Sequence, residues 1–207
     1  MVFDRGSQDH EFAAIRGIPC KVGKRRMKFN RGLVVSLVLV LLASPSARAA
    51  DNRGESVPEY RIRLYHTHSN ERLDVVYRQG DTYIPAALAQ LDHFLRDHRT
   101  GDVHHYDPRL FDLLHELTAS LGDSDRQINV ICGYRSPWSN EFLRTRSLHS
   151  GVARHSLHMQ AEAIDIRLPG IATSAVREAA LRLHAGGVGY YPISDFVHVD
   201  VGRVRHW

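Results

Sequence analysis

Apolar and polar positions alternate over residues 163–168, where Ile164, Ile166 and Leu168 share one parity and Ala163, Asp165 and Arg167 the other. This predicts a strand with one aliphatic face. A second run, Phe196 to Val201, sets Val197, Val199 and Val201 against Phe196, His198 and Asp200, and predicts another. Arg61 to His66 and Arg72 to Tyr77 flank Ser69-Asn70 as the arms of a hairpin. Helical spacing of Leu88, Leu91, Phe94 and Leu95 behind Pro85, and of Leu110, Leu113, Leu114 and Leu117 behind Pro108, predicts two scaffold helices. Ile128 to Cys132 reads as an apolar strand delivering the turn Gly133 to Pro137. Next come a helix from Ser139 to about Arg146, a loop over Gly151 to Gln160, and a last helix over Ser174 to Ala185. Gly186-Gly187-Val188-Gly189 lacks the strand-turn-helix setting and the Lys-Ser/Thr ending of a phosphate cradle, and reads as a tight turn before a strand.

The first part of the chain follows another pattern. Arg25, Arg26, Lys28 and Arg31 precede the apolar run Leu33 to Leu42, and Ala47-Arg48-Ala49 supplies a small-x-small cleavage site. Residues 1–49 therefore read as a secretory signal, with 50–60 as a flexible linker and 61–207 as one domain. The run is about half a membrane span, so the chain meets a membrane only through an uncleaved leader. Met27 followed by Lys28, Asn30 and Arg31 makes a complete signal by itself and is the expected start of translation. Arg25-Arg26 offers a twin-arginine export signal as the minor alternative, but stands out of its usual register, which favours the general secretory route; either leads to a periplasmic destination.

Removing the leader inverts the charge. Residues 1–49 hold nine Lys and Arg against three Asp and Glu, so the whole chain's +4 becomes −2 beyond them. A basic surface for nucleic acid loses its support. Cys132 is the single cysteine of the domain, so no internal disulfide forms, and its apolar neighbours suggest a small buried hydrophobe.

His158, Asp165 and His198 are the candidate chemistry. The strand pattern places Asp165 and His198 on one face, with His158 reaching in from the preceding loop. Two imidazoles and a carboxylate are the ligand set of a catalytic zinc, since three protein ligands leave a fourth tetrahedral position open to water. Ser156 and Asp200 lie close enough in sequence to the two histidines to orient them through their outer ring nitrogens. Arg135, at the mouth of its turn, offers a planar fork for a carboxylate or a developing oxyanion. Other histidines, among them His66, His68, His104, His105, His149, His155, His184 and His206, lack a carboxylate at suitable spacing and are declined as ligands.

The order Ser156-Leu157-His158, Asp165, then Asp195 three residues before His198, resembles the zinc peptidases of the D-Ala-D-Ala carboxypeptidase and VanX-like dipeptidase group. Gly133 to Pro137, Ala163 to Ile166 and Gly187 to Tyr191 are similar to the murein endopeptidase K branch, and the resemblance runs from about Tyr65 to Trp207. It implies a Hedgehog/DD-peptidase-like α+β fold, in which a small antiparallel sheet carries one zinc ion and helices pack on its other face. It also implies hydrolysis of peptidoglycan stem-peptide cross-links by metal-activated water, with Asp195 as general base and Arg135 steadying the oxyanion. The alternatives are a D-alanyl carboxypeptidase or dipeptidase of the same group, and a non-catalytic zinc-stabilised peptidoglycan-binding module. Ala161 departs from the glycine usual in the family, which is harmless unless the position has φ > 0.

Overall fold

The computed structural model describes residues 57–146 and 151–207. The expected signal over 1–49 and most of the expected linker lie outside the described residues, as does His149. The described part opens with a hairpin of β1 (Glu59–His66) and β2 (Arg72–Gln79), whose turn uses Asn70 at φ 61°. β1 thus begins two residues inside the stretch read as linker. After the short β3 (Thr82–Tyr83), Pro85 occupies the first turn of α1 (Pro85–Phe94), where its missing N–H costs nothing, and α2 spans Arg109–Ser120.

β4 (Gln127–Cys132) leads into the turn 133–136 and α3 (Pro137–Thr145), which the Ser136 hydroxyl caps by accepting from the Ser139 N–H at 3.2 Å. A single 3₁₀ turn, Leu157–Gln160, precedes β5 (Ala163–Arg167). α4 (Thr173–Leu183), β6 (Gly187–Tyr191), β7 (Phe196–Asp200) and β8 (Arg205–His206) complete the order. The architecture of the described residues is α+β, with four helices and one sheet. Among the described residues no helix is long and apolar enough to cross a membrane.

The sheet is larger than the small antiparallel one expected. It has eight strands in the order β3-β2-β1-β4-β5-β7-β6-β8, and two pairs, β1 with β4 and β6 with β8, are parallel. The first follows from chain geometry, because α1 and α2 intervene between β1 and β4 and return the chain in the same direction. Ile62 and Leu64 of β1, Ile128 and Val130 of β4, Ile164 and Ile166 of β5, and Val197 and Val199 of β7 share one core with Leu91, Leu110, Leu114, Leu117 and Val176 of the helices. The other face of the central strands is left for chemistry.

A β-bulge decides what that face contains. Val130 pairs with Ile166, but Asp165 is opposed by Cys132, one residue later than regular pairing requires. An extra residue in one strand changes the face taken by everything after it. Cys132 is buried yet stands apart from the hydrophobic core, on the side of Asp165. The apolar-strand reading of Ile128 to Cys132 is correct in extent and differs in where the thiol points.

Candidate metal centre

Pairing of β5 with β7 sets Asp165 directly across from His198, while Ile164 faces Val199 and Ile166 faces Val197 in the core. His158 arrives from the 3₁₀ turn, which Ser156 caps by accepting from the His158 N–H. Three atoms converge. His158 Nε2 is 3.2 Å from Asp165 Oδ1 and 3.1 Å from His198 Nδ1, and the latter two atoms are 2.9 Å apart. A tetrahedral ion with ligand bonds near 2.0–2.1 Å has ligand-to-ligand edges of about 3.3 Å, so the triangle fits one metal. Cys132 Sγ lies close as well: with one atom each of His158 and Asp165 it forms a group whose members are all within 4.8 Å of one another.

The outer nitrogens have partners, and these fix which ring nitrogen faces inward. His158 Nδ1 meets the Gly133 carbonyl at 2.8 Å, and His198 Nε2 meets Asp200 Oδ2 at 3.0 Å. Asp200 therefore stands where its strand parity suggested. Ser156 serves the backbone, and the role suggested for it at the imidazole is filled by a main-chain oxygen. Asp200 is fully buried and also accepts from the Gly187 and Gly202 N–H groups and, at both oxygens, from Arg205. Burial pushes its carboxyl up, but His198, Arg205 and Gly187 hold it well below the ordinary range. Gly187 is required here, because a Cβ would stand 2.4 Å from Asp200 Oδ2.

Charge at the triangle is strongly coupled. Burial opposes charge on His158, yet the Asp165 carboxylate beside it raises its pKa well above the usual histidine range, and the imidazoles push Asp165 far down. The same field attracts a cation.

Arg135 is held by its turn. The N–H groups of Tyr134, Arg135 and Ser136 donate in succession to the Leu95 carbonyl (2.8 Å), the His158 carbonyl (3.1 Å) and Asp97 Oδ2 (2.8 Å). The residue is buried, and its guanidinium reaches Asn140 Oδ1 at 3.3 Å and Cys132 Sγ at 3.4 Å, and stands 3.8 Å from Asp165 Oδ2. Its Nε is buried without a partner among the described residues.

Asp195 is placed otherwise. At φ 53° it occupies a left-handed turn between β6 and β7. Its carboxylate binds Arg167 Nε at 2.8 Å and accepts from the Thr173 hydroxyl. Ser194, its neighbour, lines the cleft over the triangle, a cavity of about 530 Å³ bordered also by Arg135, Tyr191, Arg205 and Trp207. Arg205 and Trp207 had no signal in periodicity or spacing. Of the declined histidines, His155 lines this cleft, whereas His66 and His68 border a separate cavity of about 150 Å³ with His98.

Residues 55–207 match the family model described as Peptidoglycan L,D-endopeptidase MepK. The chain is 45% identical over 153 residues to the peptidoglycan L,D-endopeptidase MepK of Escherichia coli (strain K12), covering 73% of this chain and 82% of that protein. It is 42% identical over 153 residues to the probable peptidoglycan L,D-endopeptidase MepK of Haemophilus influenzae, covering 73% and 81%. No solved structure is significantly similar to it.

Proposed function

The chain belongs to the family of the peptidoglycan L,D-endopeptidase MepK, and on that footing we propose that it is a zinc-dependent hydrolase cutting peptide cross-links of peptidoglycan outside the cytoplasm. The observation that carries this reading is the triangle of His158 Nε2, Asp165 Oδ1 and His198 Nδ1 at the floor of an open cleft. Two imidazole nitrogens and one carboxylate oxygen suit zinc better than the harder divalent cations. A zinc ion held by His158, Asp165 and His198 would supply a Lewis acid for the scissile carbonyl and would lower the pKa of a water to about 7. The family resemblance also favours the Hedgehog/DD-peptidase-like variant of the α+β class.

The chain's own residues bind, orient and move the proton. Arg135 offers its guanidinium edge to the oxygen that gains charge when the scissile carbonyl becomes tetrahedral, and its triply anchored turn holds that edge in place beforehand. Asp200 and the Gly133 carbonyl keep the two imidazoles turned with their free lone pairs inward. Asp195 is the general base: its carboxylate takes the proton of the attacking water and returns it to the leaving amine. For this it must leave Arg167 and Thr173 and turn toward the cleft, whose rim its neighbour Ser194 already lines.

The test is to incubate the zinc-loaded protein with purified muropeptide dimers of both cross-link types, with and without chelator, and identify products by chromatography and mass. Conversion of L,D-linked dimers to monomers, abolished by chelator, is the expected result. Dimers left intact by metal-replete protein would overturn the reading.

A further inference from the structure

Trp207 lies against the metal face although no ligand needs it. Its indole centroid is 5.3 Å from that of His198, tilted by 47°, and its Nε1–H donates to the Tyr191 hydroxyl at 2.8 Å. Its backbone is fixed on both sides, donating to the Val188 carbonyl at 3.2 Å and accepting from the Tyr190 N–H at 3.0 Å. β6 makes room for the ring: a Cβ on Gly189 would stand 2.7 Å from indole carbons, so any other residue there would displace it. Tyr191 stacks on Phe196 at 4.4 Å and 19°, which extends the aromatic surface along the cleft. Trp207 is nonetheless 49% exposed.

A large ring held by four separate restraints, in an exposed residue that lines the cleft, is a prepared apolar face. It borders the cleft within one ring's width of a proposed ligand, so whatever packs on it sits beside the scissile bond. Arg205, 5.1 Å over the ring, is committed to Asp200 through both terminal nitrogens. This wall therefore offers carbon rather than charge. Arg135, with its unpartnered Nε, supplies the charge elsewhere in the cleft.

We propose that Trp207, backed by Tyr191 and Phe196, is a specificity-determining residue: the aliphatic stretch of the cross-linked peptide flanking the scissile bond packs on its exposed face. This rests on the endopeptidase reading above. Packing made equally in the ground and transition states appears in KM and leaves kcat alone.

The experiment compares wild type, Trp207→Ala and Tyr191→Phe in steady-state cleavage of an L,D-linked muropeptide dimer, with metal affinity measured in parallel by chelator competition. For Trp207→Ala, KM should rise about 10-fold or more, as expected for losing burial of one aromatic face, with kcat within about threefold and metal affinity unchanged. Tyr191→Phe, which removes only the acceptor of the indole N–H, should show a smaller rise of the same kind. The second readout uses the fact that the chain has two tryptophans. In a Trp138→Phe background, emission from Trp207 in metal-free protein should shift and saturate as dimer is added. An unchanged KM, or a loss of metal with KM unchanged, would overturn the proposal and leave Trp207 as a prop for His198. If wild type cuts nothing, the endopeptidase reading fails and the titration alone decides this one: a saturating shift sustains the wall, and silence removes it.

Discussion

Replacing Asp200 with asparagine changes almost no volume and reverses the polarity of one atom. In the native protein Oδ1 accepts from Gly187 N (2.9 Å), Gly202 N (2.9 Å) and Arg205 Nη1 (3.1 Å), and Oδ2 accepts from His198 Nε2 (3.0 Å) and Arg205 Nη2 (2.8 Å). The amide oxygen must stay with the two backbone N–H groups, which have no alternative, so the amide nitrogen confronts Arg205 and His198 as a donor. Arginine cannot give up a proton. Histidine can, by moving its proton to Nδ1, which is the atom that closes the ligand triangle. The lone pair needed by the metal is then consumed. Losing a partner outside the ligand set costs about 10–100-fold in metal affinity, or about 1.4–2.8 kcal/mol. Exchanging charge-assisted hydrogen bonds for a donor-donor contact costs the metal-free fold about 3 kcal/mol, or a Tm lower by about 6–12 °C for a domain of this size. Chelator competition reads the first quantity and thermal unfolding of metal-free protein the second. A variant with lowered Tm and metal affinity within about twofold of wild type would refute the tautomer argument, and reduce Asp200 to a structural anchor.

Asp195→Ala should abolish turnover while leaving metal content unchanged. Near-normal cleavage of dimers would take the base role from it. Ala161 sits at φ 54° and is fully buried, so the condition under which alanine is strained holds. Ala161→Gly relieves about 1 kcal/mol of strain but gives up a buried methyl worth about 0.8 kcal/mol and adds unfolded-state entropy. Denaturant unfolding should therefore find it within about 1 kcal/mol of wild type, whereas Ala161→Val, β-branched at positive φ, should lose more than about 2 kcal/mol. Asp97 is buried, a state that disfavours its charge, yet hydrogen bonds from the Arg99 and Ser136 N–H groups help bring its pKa to about 2. A depressed carboxylate stabilises the fold above its unfolded pKa of about 4, and the gain disappears as pH falls toward 2. Asp97→Asn should lower stability at pH 7 by about 2 kcal/mol, and should flatten the acid limb of the stability curve in that window.

What could be read from the chain beforehand depended on side-chain periodicity. β5 and β7 were legible because Ile164, Ile166, Val197 and Val199 announce one aliphatic parity, and that parity alone sends Asp165 and His198 to the same face. α1, α2 and α4 announced themselves by leucine spacing or by their flanking residues to within a residue or two. β3 and β8, two residues each, are too short to carry a period. The partner of His158 Nδ1 is a carbonyl, and a backbone atom leaves no mark in the residue order. Trp207 reaches His198 only because β8 lies parallel to β6, a pairing that no local pattern encodes. The orientation of Asp195 is set by a left-handed turn and by Arg167, a strand residue whose partner could not be chosen from sequence.

Ile131 is the residue in β4 that has no counterpart on β5, since Val130 is matched to Ile166 and Cys132 to Asp165. Removing it would leave both of those matches in place; removing Val130 would slide Ile131 opposite Ile166 and leave Cys132 opposite Asp165, whereas removing Cys132 would bring a different side chain opposite Asp165. A one-residue deletion is therefore expected to be tolerated at the bulge and not at Cys132. One codon in the middle of a central strand is free to come and go, because the core and the chemistry are each in phase with a different half of the same strand.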